Sequence, residues 1–128
     1  MADQKSEKFS IVKRAESFTH AFRGIGIFIK STHNAWIHLV ILAGVIVLGF
    51  VFEIERSEWL ALVLAAGLVL VSEAFNTAIE IDMNLTSTEY HPYARDTKDV
   101  AAGAVLISAV TAGIVGLIIF LPRIFALF

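Results

Sequence analysis

The sequence predicts an all-α membrane protein, with an N-terminal amphipathic surface helix followed by three transmembrane helices. Three observations predict it. The chain is 57% hydrophobic with a mean hydropathy of +0.76, well above an ordinary soluble domain. Its apolar residues gather in three stretches, 35–52, 59–81 and 100–121, each near the roughly 20 residues that cross a bilayer core. Its cations are also unevenly placed. Lys5, Lys8, Lys13, Arg14, Arg23 and Lys30 precede the first stretch, and Arg95 and Lys98 lie between the second and third. Only Arg56 and Arg123 fall on the other side. The positive-inside rule then puts the N-terminus and the 82–99 connection in the cytoplasm.

Taken in order, the surface helix covers residues 9–30. Phe9, Val12, Ala15, Phe18, Phe22, Ile25 and Ile29 recur at helical spacing with basic residues between them. That pattern suits a helix lying among lipid headgroups. Gly24 and Gly26 are expected to loosen its end, and Ser31, Thr32, His33 and Asn34 to form a polar turn into the first span. None of the apolar stretches reads as a cleaved signal peptide, because about 30 polar and amphipathic residues precede the first. The segment 53–58, with Glu53, Glu55 and Glu58, is expected to be a solvated outer turn. Trp36 and Trp59 fit opposite membrane interfaces. The third span carries Ala101, Ala102, Gly103, Ala104, Gly113 and Gly116, small residues that let helices approach. There is no internal repeat, and the 128 residues form one domain.

Some functions are excluded. The chain has no cysteine, so thiolate and disulfide chemistry are absent. A net charge of −2 gives no nucleic-acid footprint.

The second span is the informative one. Glu73, Asn76 and Glu80 fall at i, i+3 and i+7, one stripe of a helix. A carboxylate at bilayer depth costs roughly 2.5–3.5 kcal/mol even on lenient insertion scales. Two of them on one face mark a working site, and their shelter from lipid points to an oligomer. The connection that follows adds Asp82, Asn84, Glu89, Tyr90, His91, Arg95, Asp96, Lys98 and Asp99. Carboxylates, a lysine and a membrane edge together suit Mg²⁺ and phosphate chemistry. No Walker loop or kinase Gly-rich loop is present. Each residue alone has a plainer reading: Asn76 as interhelical glue, Lys98-Asp99 as interface anchoring, and His20, His33 and His38 as interfacial polar groups.

The joint pattern resembles a known family. Glu73-Ala-Phe-Asn76-Thr77-Ala-Ile-Glu80, then Glu89-Tyr90-His91, then Lys98-Asp99-Val-Ala-Ala-Gly, is similar to the signature of the small prokaryotic diacylglycerol kinases and undecaprenol kinases. The resemblance implies a homotrimer in a prokaryotic inner or plasma membrane, with active sites at the cytoplasmic interface. It implies transfer of the ATP γ-phosphate to a membrane lipid alcohol, either undecaprenol or diacylglycerol. The wording is closer to the undecaprenol-type branch. Glu73 would then be the general base, strengthened by desolvation of its charged form. Asn76 would orient that carboxylate or the acceptor hydroxyl, and Glu80 would hold Mg²⁺. Lys98 would bind the transferring phosphate, with Asp99 positioning the lysine or the nucleotide. Glu89, Tyr90 and His91 would shape the nucleotide pocket, with Lys13 a further contributor.

Two positions depart from the family pattern. Thr32 falls where the family places a second metal-binding glutamate, and Asn84 where many relatives have aspartate. The competing readings are a channel or carrier subunit whose glutamates bind cations, and a degenerate kinase retained as a structural partner.

Overall fold

The computed structural model describes residues 8–128; Lys5, counted above among the cytoplasmic cations, lies outside them. Four helices follow one another: α1 (Ile11–Ser31), α2 (His33–Val51), α3 (Arg56–Thr86) and α4 (Pro92–Phe125). Among the described residues there is no strand. The last three helices are long and apolar enough to cross a membrane. Val40, Leu64, Phe75, Ile107 and Ile118 are each more than half exposed, and such a surface suits lipid rather than water.

Helix α1 begins at an N-cap, where the Ser10 side chain accepts a hydrogen bond from the Lys13 amide. It runs through Gly24 and Gly26 without a break. The expected four-residue turn contracts to Thr32 alone, whose backbone is extended. Thr32 Oγ1 donates to the Phe28 carbonyl at 2.9 Å, which satisfies an acceptor that the helix end leaves bare. One extended residue is enough to redirect the chain into α2.

The turn between α2 and α3 is tighter and more engaged than a solvated loop. Glu53 takes a positive φ of 48°, an uncommon conformation for a residue with a side chain. Ile54 is buried and packs with Leu62, Ile119 and Phe120. Glu55 and Glu58 form a reciprocal capping box at the start of α3. Trp59 lies across Gly49, where an added Cβ would come within 2.6 Å of the indole Cζ2. Glycine is therefore what lets α2 and α3 close at this end.

The α3–α4 pair forms the body of the fold, an antiparallel hairpin fastened at both ends. At one end the Arg123 guanidinium donates to both Glu58 oxygens, at 2.9 and 2.8 Å. Such a fork restricts geometry as well as adding attraction. At the other end Lys98 Nζ donates to Asn84 Oδ1 at 2.6 Å. Between them α3 buries Leu62, Ala65, Val69, Glu73 and Asn76, spaced three or four residues apart as one helical face. Its apolar members lie toward Glu58 and its polar members toward Asn84. Facing α4 buries the small Ala101 and Ser108 along the same seam, which permits close approach.

One expectation about this region fails. The polar residues from Asp82 to Asp99 are not a loop; only 87–91 are non-helical. Helix α3 continues through Asp82 and Asn84, and α4 begins at Pro92 with Arg95, Lys98 and Asp99 in its first turns. His91 supplies the reason, because its Nδ1 accepts from the Tyr93 amide and caps the helix, while Pro92 suits the first helical position. At 1.5 Å per residue, α3 and α4 reach ~46 and ~51 Å, well beyond a ~30 Å hydrocarbon core. Their polar ends project past it.

Candidate active site at the polar end of the helix bundle

Glu73 is only 1% exposed within a single chain, so neighbouring subunits are not needed to shelter it. Shelter of Glu73 from lipid, expected from the sequence to require an oligomer, is supplied by the chain's own helices. Glu80 is exposed, about two turns or ~10 Å further along α3.

The residue bonded to Glu73 is His38 rather than Asn76. His38 Nε2 lies 2.8 Å from Glu73 Oε1, reaching from α2 across 35 positions of sequence. Asn76 turns the other way, and its Nδ2 donates to Glu80 Oε1 at 3.3 Å. With the amide nitrogen directed at a carboxylate, the opposite oxygen is left bare. Two buried acceptors, Glu73 Oε2 and Asn76 Oδ1, consequently have no hydrogen-bond partner. Buried polar atoms are nearly always paired, and leaving one unmet costs about 1–3 kcal/mol. The two orphans lie one helical turn apart on the same buried face of α3.

His38 also lines an apolar groove of about 330 Å³ between α2, α3 and α4. Leu42, Val69, Ala109, Gly113 and Gly116 supply other parts of its wall, and His38 is its only polar lining residue. The groove thus has a hydrocarbon character with one polar point, and that point is the partner of Glu73.

A second cavity of about 300 Å³ opens around the α3–α4 connection. Glu89, Tyr90, His91, Lys98 and Asp99, all expected from the sequence, line it together with Arg95. Lys98 is oriented by Asn84, not by Asp99. Asp99 instead faces Arg95 at 3.7 Å on the exposed helix surface, a separation worth little in water. Asn84, the departure from aspartate, therefore holds the lysine through a neutral oxygen and leaves its positive charge uncompensated there. Glu80 and Lys13 are not among the residues lining this cavity; Lys13 sits in the first turn of α1.

Among the described residues no cluster of three or more acidic, histidine or cysteine side chains forms a ready metal site. The oxygens present still fit one kind of metal binding. Mg²⁺ commonly takes one or two carboxylates and completes its shell with phosphate oxygens and water. Exposed Glu80 matches that mode, as a ligand to a cation arriving with a nucleotide. The Thr32 hydroxyl is already engaged at the end of α1.

His38 and Arg95 are the site residues that the sequence reading passed over. From sequence His38 groups with the interfacial histidines, although it falls in the first span at a depth where an unpartnered imidazole is costly. That depth was the available signal. Arg95 was visible only as one of several charges in a supposed loop. Once Pro92 is read as a helix start, Arg95 and Lys98 fall at i and i+3 on one face.

The fold and site define a polytopic membrane protein that carries a buried acid beside an apolar groove and, at one end, a cavity where Tyr90 and His91 meet two cations, Arg95 and Lys98, and two carboxylates, Glu89 and Asp99. A profile of the prokaryotic diacylglycerol kinases matches residues 19–120. The chain is 37% identical over 121 residues to an undecaprenol kinase from Bacillus subtilis, covering 94% of this chain and 98% of that protein. It is 36% identical over 112 residues to a diacylglycerol kinase from Synechocystis sp., covering 87% of this chain and 64% of that one. The chain belongs to the prokaryotic diacylglycerol kinase family, a family of membrane lipid kinases.

Proposed function

We propose that this chain phosphorylates a membrane lipid alcohol with Mg·ATP at the cytoplasmic face, acting as a homotrimer. Undecaprenol is the preferred acceptor in this reading and diacylglycerol the runner-up. The observation that carries it is the pair of buried, unpartnered acceptors, Glu73 Oε2 and Asn76 Oδ1. A lipid hydroxyl is a donor that reaches such a depth while its hydrocarbon stays in the membrane. The apolar groove beside His38 suits the hydrocarbon of a lipid acceptor. The relation to an undecaprenol kinase along nearly its whole length supports undecaprenol as that acceptor.

The step then balances as follows. The acceptor hydroxyl donates toward Glu73, which takes its proton as the alcohol oxygen bonds to the γ-phosphorus. The bond from that phosphorus to the β–γ bridging oxygen breaks, and ADP leaves. Lys98, with Arg95 beside it, offsets charge on the phosphate oxygens, the main task of a protein in phosphoryl transfer. Tyr90 and His91 offer aromatic faces to the base of the nucleotide, with Glu89 and Asp99 at its edges; Lys13, outside this cavity in the first turn of α1, is a further contributor from the surface helix. Mg²⁺, when bound, neutralises phosphate charge, and Glu80 is the one protein carboxylate assigned to it. Thr32 leaves the remainder of that shell to phosphate and water.

The end of the bundle that holds Lys98 faces the cytoplasm in this reading, because the connections on that side carry most of the Lys and Arg residues, and ATP is found there. A cation channel would use Glu73 and Glu80 but would leave the Lys98 cavity without a role. Acylation of lysines in the membrane-embedded protein separates the two. Mg·ATP is expected to slow modification of Lys98 by about tenfold or more, as occupancy at ten or more times Kd requires, while Lys30 reacts unchanged. Equal rates at Lys98 with and without saturating Mg·ATP would remove the nucleotide site from this cavity.

A further inference from the structure

We infer that His38 is a positioning residue for Glu73, a role that rests on the reading of Glu73 as the base. A carboxylate with two equivalent oxygens rotates freely unless one is held, and a buried one must also be compensated for its lost hydration. His38 Nε2 meets both needs at Oε1, with a 2.8 Å contact in the range of charge-assisted bonds. Oε2 is left without a partner, so the division of labour between the two oxygens is fixed before any acceptor binds. The imidazole also lines the apolar groove. A chain lying in that groove therefore brings its polar end to the carboxylate that His38 holds. Helix α2, which otherwise contributes apolar packing, thereby supplies an element of the site on α3.

The arrangement needs a nitrogen donor at the reach of Nε2, not an imidazole as such. His38→Leu removes the donor and keeps apolar bulk. His38→Gln restores an amide N–H at nearly the same reach, and His38→Asn places it too short. Each is assayed as purified full-length protein in lipid–detergent mixed micelles, with undecaprenol as acceptor. His38→Leu is expected to lower kcat by about 30-fold or more, a loss that begins below the roughly 10²–10⁴-fold that a proton-transfer group itself supplies, as suits a residue acting through one. Its KM for Mg·ATP stays within about twofold, since the nucleotide cavity is untouched. His38→Gln recovers to within about fivefold of the native kcat, and His38→Asn does not. Should the leucine protein fail to fold, the glutamine–asparagine pair carries the test, because both are polar and differ only in reach.

The inference is overturned if His38→Leu keeps kcat within about threefold of native, or if glutamine and asparagine are equally impaired. A loss shared equally by the KM for Mg·ATP would assign His38 to general packing instead. Glu73→Gln measured alongside separates the two layers of the argument. An active Glu73→Gln protein removes the base itself, whereas an inactive one beside an active His38→Leu protein removes only the positioning role.

Discussion

Glu73→Gln is expected to lower phosphate transfer to the lipid by about a thousandfold, the mid-range of losses when a general base is removed. Glutamine preserves the shape and an amide in place of the carboxylate, so the α3–α4 seam loses little packing. It cannot accept the hydroxyl proton. Mg·ATP affinity should stay within about twofold, because Glu73 is buried and is not among the residues lining the Lys98 cavity. Turnover and nucleotide binding, measured by label transfer and by equilibrium dialysis, must therefore separate. Native turnover in this protein would take Glu73 out of the chemistry. A matched loss of nucleotide binding would show that the substitution disturbs the whole polar end.

The second large effect is expected at Glu80, and it has a different signature. Removing even an outer-shell partner of a metal weakens binding by about 10–100-fold, and a direct carboxylate ligand should do no less. Glu80→Gln is therefore expected to raise the Mg²⁺ concentration for half-maximal activity by about tenfold or more, with partial recovery at high Mg²⁺. Thr32 sharpens the effect, since no second protein carboxylate is assigned to the ion. The substitution also alters the contact with Asn76 Nδ2, though an amide oxygen can still accept that bond. An unchanged Mg²⁺ dependence would reject Glu80 as a ligand and leave it as an exposed acid.

Much of the fold was legible because lipid imposes few solutions on a chain. Three long apolar stretches become helices, since every backbone group must be satisfied internally. The ends of those helices were less legible. Hydropathy marks where hydrocarbon stops, not where the helix stops, so the helical ends at Asp82, Asn84, Arg95 and Lys98 read as loop. The capping residue His91 and the following Pro92 carried the correction, but their effect depends on backbone geometry at one peptide. Within the site, the stripe of Glu73, Asn76 and Glu80 followed from helical period alone. The pairings within it did not. That Glu73 bonds to His38 and Lys98 to Asn84 depends on how two helices are rotated against each other, which no single-helix pattern encodes. The outer turn shows the same limit, because Glu58 is an ordinary surface acid until Arg123 arrives 65 positions later.

The most direct test of the account is transfer of labelled γ-phosphate from Mg·ATP by the purified protein in mixed micelles, with undecaprenol and diacylglycerol offered side by side. The account predicts labelled lipid that disappears in the Glu73→Gln protein, and more label on undecaprenol than on diacylglycerol. Folded protein that labels neither alcohol would contradict the kinase reading of this site.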